Sequence, residues 1–246
     1  MPLAALLGGA AVGLLDDIIN LRGSGKGVAG LRSSFKFIMI TVIGLGLGWF
    51  FYEKLGIDAV YIPFLGDVAI GWLIIPLFAL AVVSAGNAVN ISDGLDGLAG
   101  GLAVIAYGAF GTIAILQGTP LIAGFCFTVA GALLSYLWFN IYPARFFMGD
   151  VGSFALGTSL GVVAMLTDSL FILPIIGLVF VIEAGSSLIQ IFSKRVFKRK
   201  IFISAPIHHH LEAIGWPETK VTMRFWIIGA VCTFIGVMLA LAGGNI

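Results

Sequence analysis

Apolar runs recur along the chain near 1–16, 34–52, 69–88, 97–116, 120–138, 153–167, 170–192 and 223–243, separated by short polar or charged segments. At ~1.5 Å per helical residue, each run is about long enough to cross a ~30 Å hydrocarbon layer. The pattern therefore predicts an all-α integral membrane protein, a polytopic helical bundle of about eight spans forming a single domain over 1–246. An even number of spans returns both termini to one side. Loops 17–33, 87–96, 139–152 and 193–222 then share one face, and 53–68, 117–119 and 168–169 share the other. The segment "EKLGIDAVYIPFLGDVAIG" at 53–71 alternates apolar and polar positions around a Pro and a Gly, which predicts a short hairpin on the outer, periplasmic face.

Composition excludes a soluble alternative. The chain is 60% hydrophobic and 10% charged, with a mean hydropathy of +1.12, and no soluble surface can be built from so few charges. The position of the charges says more than their net value of +1. Arg22, Lys26, Arg32, Lys36, Arg145, Lys194, Arg195, Lys198, Arg199, Lys200, Lys220 and Arg224 fall on the first face or at its span ends, leaving only Lys54 on the second. This positive-inside bias makes the first face cytoplasmic. Nothing in the pattern calls for a nucleic-acid partner. The run "KRVFKRK" reads as an anchor to anionic membrane lipid, with substrate attraction as the lesser reading. Residues 1–15 lack a basic n-region and a cleavage site, so they read as the end of a span rather than a signal peptide. Cys126 and Cys232 lie far apart in apolar runs and read as packing thiols. Trp49, Trp72, Trp138 and Trp226 lie toward span ends, as interface anchors do.

The acidic clusters also gather on the cytoplasmic face. In "LLDDIIN", Asp16 and Asp17 are neighbours at the inner end of a span, and on a helix they point ~100° apart, so the pair by itself is a weak signal. In "NAVNISDGLDGLAG" the spacing puts Asn87 with Asn90, and Asp93 with Asp96, on one face if the stretch is helical, while Gly94 and Gly97 allow close backbone approach to a ligand. A reverse turn accounts for the composition but not for the paired spacing. In "NIYPARFFMGDVGS", Asn140, Arg145 and Asp150 are expected together near the start of a span, where free helix N–H groups can meet an anion. Carboxylate, amide and cation together suit a metal with a phosphate. His208, His209 and His210 in "APIHHHLEAIGWPE" lack zinc-site spacing and could instead hydrogen-bond a phosphate or sugar. Glu183, inside an apolar run, reads as part of a structural network with Ser186, Ser187 and Gln190.

Taken in order and spacing, "LLDDIIN", "NAVNISDGLDGLAGG", "NIYPARFFMGDVGSFALG" and "APIHHHLEAIGWPETKVTMRFWIIG" resemble the phospho-N-acetylmuramoyl-pentapeptide transferases across essentially the whole chain. The Asp motifs are shared by the wider polyprenyl-phosphate sugar-1-phosphate transferase superfamily, and the triple His followed by "GWPE" and "RFW" points to the muramoyl-pentapeptide branch. The resemblance implies transfer of phospho-MurNAc-pentapeptide from UDP-MurNAc-pentapeptide to undecaprenyl phosphate with Mg²⁺, giving lipid I and UMP at the cytoplasmic face of the bacterial inner membrane.

The family's site roles carry over position by position. Asp150 is similar to the metal-binding acid, and Asp16 and Asp17 to the catalytic pair, with Asp17 as the base. Asp93 and Asp96 resemble the active-site and uridine-contacting acids, and Phe147 the residue that stacks on uracil. Asn90, Asn140 and Lys36 resemble polar partners of the site, and His208, His209 and His210 the catalytic triple-His motif. Family members have roughly ten spans, each bilayer-length, which implies that this chain enters near the end of the third and lacks the first two. Two alternatives stand beside this reading: a transferase for another UDP-sugar, and a non-catalytic nucleotide- or lipid-binding membrane protein. A homodimer is compatible with either.

Overall fold

The computed structural model of the chain describes residues 1–22 and 31–244. Lys26 lies outside the described residues. Helix α1 (Pro2–Arg22) is followed by α2 (Ser33–Leu55), a hairpin of β1 (Ala59–Ile62) and β2 (Gly66–Ala69), α3 (Ile74–Ser92), α4 (Leu98–Leu116), α5 (Pro120–Asn140) and α6 (Gly149–Leu166). The short α7 (Leu173–Ile176), α8 (Leu178–Val196), the short α9 (Ile207–Ala213) and α10 (Glu218–Ala242) complete the fold. The hairpin forms where alternation predicts it, antiparallel with Ala59 opposite Ala69 and Ile62 opposite Gly66.

Among the described residues, seven helices are long and apolar enough to cross a membrane, where the hydrophobic pattern predicts eight. The difference falls on 170–192, which divides into α7 and α8 at Gly177. Helix α8 is amphipathic with its polar side inward: Glu183, Ser186, Gln190 and Ser193 are buried, while Ile182, Leu188, Ile189 and Phe192 are exposed. The inward polar stripe lowers its mean hydropathy, and the outward face matches lipid. The protein is thus an all-α polytopic membrane protein carrying one small hairpin.

Helices α4 and α6 are the most enclosed spans. Small residues on α6 let its neighbours approach to backbone distance, as expected where dispersion and close packing drive helix association. A Cβ on Gly157 would stand 2.5 Å from Ala85 O, and one on Gly161 2.9 Å from Ala81 O, both on α3. On the opposite side α1 presents Gly9 and Gly13 to α6. Buried hydroxyls in this core find partners: Tyr107 donates to Leu156 O at 2.7 Å and pairs with Ser159 Oγ at 2.7 Å.

Hydrogen bonds tie together two ends of the bundle. At one end the hairpin meets the α6–α7 turn and the end of α10, through Tyr61 N to Asp168 Oδ1 at 3.0 Å and Phe64 N to Gly243 O at 3.3 Å. The Tyr61 hydroxyl also donates to Gly243 O. At the other end α1, α3 and α5 finish and α2, α4, α6 and α10 begin, and there the acidic motifs meet.

Candidate active site

Three carboxylates converge at that end. Asp16 and Asp17 on the last turns of α1 lie beside Asp150 in the first turn of α6, with one oxygen of each within 4.8 Å of the others. Close helix packing produces this meeting. A Cβ on Gly13 would stand 2.5 Å from Val151 N and closer still to the Asp150 carbonyl, so only a glycine lets α1 lie against the start of α6 here. The carboxylates are not left to repel one another. Lys36 Nζ bridges Asp16 Oδ2 at 3.1 Å and Asp150 Oδ2 at 2.8 Å, and Asn90 Nδ2 donates to Asp150 Oδ1 at 2.8 Å. Asp16 Oδ1 accepts from Leu31 N at 2.6 Å, and Asn20 Nδ2 donates to Asp16 Oδ2 at 3.2 Å. Among the described residues Asp17 takes only a long bond, from Val151 N at 3.4 Å, where the positive end of the α6 dipole favours an anion. Of the three acids, Asp17 is the least committed.

Beside the triad lies a cavity of about 230 Å³ lined by Asn90, Asp93, Gly94, Asp96, Phe147 and Asp150, among others. Asn87 and Asn90 share helix α3 at the expected spacing, but Asp93 and Asp96 lie beyond its end and do not share a helix face. Helix α3 ends at Ser92, and Asp93 takes a non-helical conformation that opens a turn to Gly97, whose φ is +74°. Asn87 bonds Val83 O on its own helix, and Asn90 alone turns to the triad. Asp93 is mostly buried in the cavity wall, and that burial, followed by the field of Asp150, raises its pKa to about 6. Asp96 is held from two sides: its Oδ2 accepts from Ala144 N at 2.9 Å, and its N donates to Glu218 Oε1 at 2.6 Å. Phe147, 73% exposed, offers a free ring face at the cavity.

Asn140 also lines the cavity, and its buried amide bridges Gly97 N at 3.0 Å and Phe146 O at 3.0 Å, so it fixes two loops against each other. Other expected residues take different positions. Arg145 is exposed. The three histidines diverge. His208 is buried against Glu183, His209 pairs with Glu212 at 2.8 Å on the surface, and His210 Nδ1 accepts from Ile203 N at 3.2 Å. Glu183 therefore pairs with His208, whereas Gln190 bonds the 201–202 backbone and Ser186 its own helix. Trp226 is no interface anchor: its Nε1 donates to Gly97 O at 3.0 Å and its ring covers Gly101, which braces the turn after Asp96. Sequence reading missed Gly13, Asn20, Glu218 and this role of Trp226. The only signals were the Gly9/Gly13 spacing, Asn20 one turn beyond Asp16, and Gly97/Gly101 facing an aromatic.

The comparisons with known proteins agree with this geometry. Residues 1–168 match the family described as glycosyl transferase family 4. The whole chain aligns over 258 residues with a phospho-N-acetylmuramoyl-pentapeptide-transferase of Chloroflexus aggregans at 41% identity, covering 70% of that protein. The enzyme of that name from Chloroflexus aurantiacus is 42% identical over 99% of this chain and 70% of its own length, and the one from Clostridium perfringens is 41% identical over 95% and 72%. With its acidic triad and neighbouring cavity built from the motifs those alignments span, the chain belongs to glycosyl transferase family 4, among the phospho-N-acetylmuramoyl-pentapeptide transferases.

Proposed function

We propose that this protein transfers phospho-MurNAc-pentapeptide from UDP-MurNAc-pentapeptide to undecaprenyl phosphate, forming lipid I and UMP at the cytoplasmic face of the bacterial inner membrane. The single observation that carries the reading is the Asp16, Asp17 and Asp150 triad, with Lys36 bridging Asp16 and Asp150, beside a cavity walled by Asp93, Asp96, Phe147 and Asp150 itself. Phosphoryl transfer is mainly positioning and charge neutralisation, and these are its parts. Identity to relatives that share this one activity favours the muramoyl-pentapeptide donor over another UDP-sugar.

The donor set suits Mg²⁺. Three carboxylates whose oxygens lie within 4.8 Å offer hard oxygen ligands, and Asp17 has coordination capacity to spare. Asp150, with Asp16 and Asp17, would hold the ion. When bound there it neutralises charge on the donor pyrophosphate.

The protein's own groups do the rest. Phe147 stacks on uracil and Asp96 faces the uridine, while Asp93 narrows the cavity around the donor. Lys36 holds Asp16 and Asp150 in place. An oxygen of the lipid phosphate attacks the sugar-side phosphorus, the pyrophosphate P–O bond breaks, and UMP leaves with that bond's electrons. Asp17, the least engaged carboxylate, takes the proton of the attacking phosphate.

The test is UMP release from UDP-MurNAc-pentapeptide in detergent, with and without undecaprenyl phosphate and Mg²⁺. Release that needs both supports the assignment. Release independent of the lipid, or none under any condition, refutes it.

A further inference from the structure

Glu183, in the second turn of α8, and His208, in the first turn of α9, are joined by a 2.7 Å hydrogen bond between side chains that are 0% and 1% exposed. His208 does not line the cavity. Its far nitrogen, Nε2, and the second carboxylate oxygen of Glu183 have no hydrogen-bond partner among the described residues. Unsatisfied buried polar atoms are uncommon and call for a reason.

The reason lies on the other side of the ring. A Cβ on Gly94 would stand 2.9 Å from His208 Cε1 and closer to Nε2, so Gly94 rests directly on the imidazole edge. Gly94 itself lines the cavity, between Asp93 and Asp96. A layered order follows: the lipid-facing helix α8, Glu183, the His208 ring, Gly94, and then the pocket. The bond from Nδ1 to Glu183 fixes the ring's orientation, and the ring edge in turn forms a rigid stop for the turn that carries both cavity acids.

We infer that the Glu183–His208 pair is a positioning device that sets the Asp93–Gly97 turn, and through it the shape of the donor pocket, without touching substrate. The inference rests on the reading of that cavity as the donor site. It explains why the position next to Asp93 is a glycine although its φ is not left-handed. It also explains why an acid sits inside an otherwise apolar run: Glu183 anchors the ring to the long helix α8 instead of to the short α9.

A size swap tests it, using the full chain in detergent with two independent readouts. The first is hydrogen exchange across 91–98, which needs no turnover. The second is donor KM against kcat. Gly94→Ala places a methyl against the ring and is expected to raise exchange in the turn and raise donor KM about tenfold, with kcat changed far less. His208→Asn keeps a donor toward Glu183 but removes the ring edge, so the double variant Gly94→Ala/His208→Asn is expected to recover most of what Gly94→Ala loses, as coupled neighbours do. Glu183→Leu should loosen the turn and Glu183→Gln, which retains an acceptor, should restore much of the protection. This series carries the test if Gly94→Ala does not fold.

Unchanged exchange and KM in both Gly94→Ala and Glu183→Leu would overturn the inference. So would a His208→Asn variant that loses kcat while exchange and donor KM stay as in the parent, since that marks a group acting on the reacting atoms. If the parent chain itself releases no UMP, the functional reading fails, and the exchange data still decide whether the pair sets the turn.

Discussion

Replacing Gly13 with alanine adds one methyl group at the point where α1 crosses the start of α6. The new Cβ would stand 2.5 Å from Val151 N and closer to the Asp150 carbonyl, and ordinary contact begins at 3.4 Å, so the helices must part by about 0.9 Å or more. The opposing atoms are backbone in a helix first turn and cannot rotate away. Overpacking of this kind costs about 1–3 kcal/mol. The larger effect is local. Asp16 and Asp17 follow on the same helix, one turn beyond, and the Asp17 bond to Val151 N is already 3.4 Å, at the limit of a hydrogen bond. Widening the gap breaks that bond and draws Asp16 away from the lysine it shares with Asp150. A misplacement of ~1 Å at a reacting centre can cost ~100-fold in rate. Gly13→Ala is therefore expected to lose on the order of a hundredfold in kcat, measured as UMP release at saturating Mg²⁺, with a modest fall in Tm. Gly46→Ala on α2, where a Cβ meets nothing within 4 Å, is the matched control and should keep both. Gly13→Ala with parental kcat and Tm would refute the claim that this crossing sets the triad.

Three further outcomes are expected. Phe147→Ala should weaken UMP binding by about 1–3 kcal/mol, the scale of base stacking on an aromatic, with Tm unchanged because the ring is largely exposed, and unaltered affinity by calorimetry would exclude stacking. Asp150→Asn should abolish Mg²⁺-dependent turnover, and near-parental activity would remove Asp150 from the ion's ligands. Because burial and Asp150 raise the Asp93 pKa to about 6 from 3.8, kcat/KM should fall as pH drops through about 6 if its carboxylate is required. The folded state alone binds this proton between those values, so the group's contribution to stability declines as pH rises from about 4 to 6. A flat profile from pH 5 to 8 would rule out a required Asp93 carboxylate.

Local hydropathy determined much of this protein from the sequence alone. Seven of the eight expected spans, the hairpin, and the gathering of Asp16, Asp17, Asp93, Asp96 and Asp150 at one end of the bundle all follow from run length and parity, since each span carries the chain from one end to the other. What parity cannot supply is which helices touch. The triad needs α1 on α6 at Gly13, and Lys36 reaches Asp150 across 114 residues of chain. Spacing misread three features for the same reason. Helix α3 stops at Ser92, so Asp93 and Asp96 reach the cavity from a turn closed by Gly97 and not from one helix face. Trp226 turns inward because Gly97 and Gly101 leave a groove for it on α4. Polar residues on α8 lower its hydropathy, yet they point into the bundle, where Glu183 meets His208. In a bilayer the outer face must be apolar and the inner one can be polar, so composition records how many polar groups a helix has, and only packing decides which way they face.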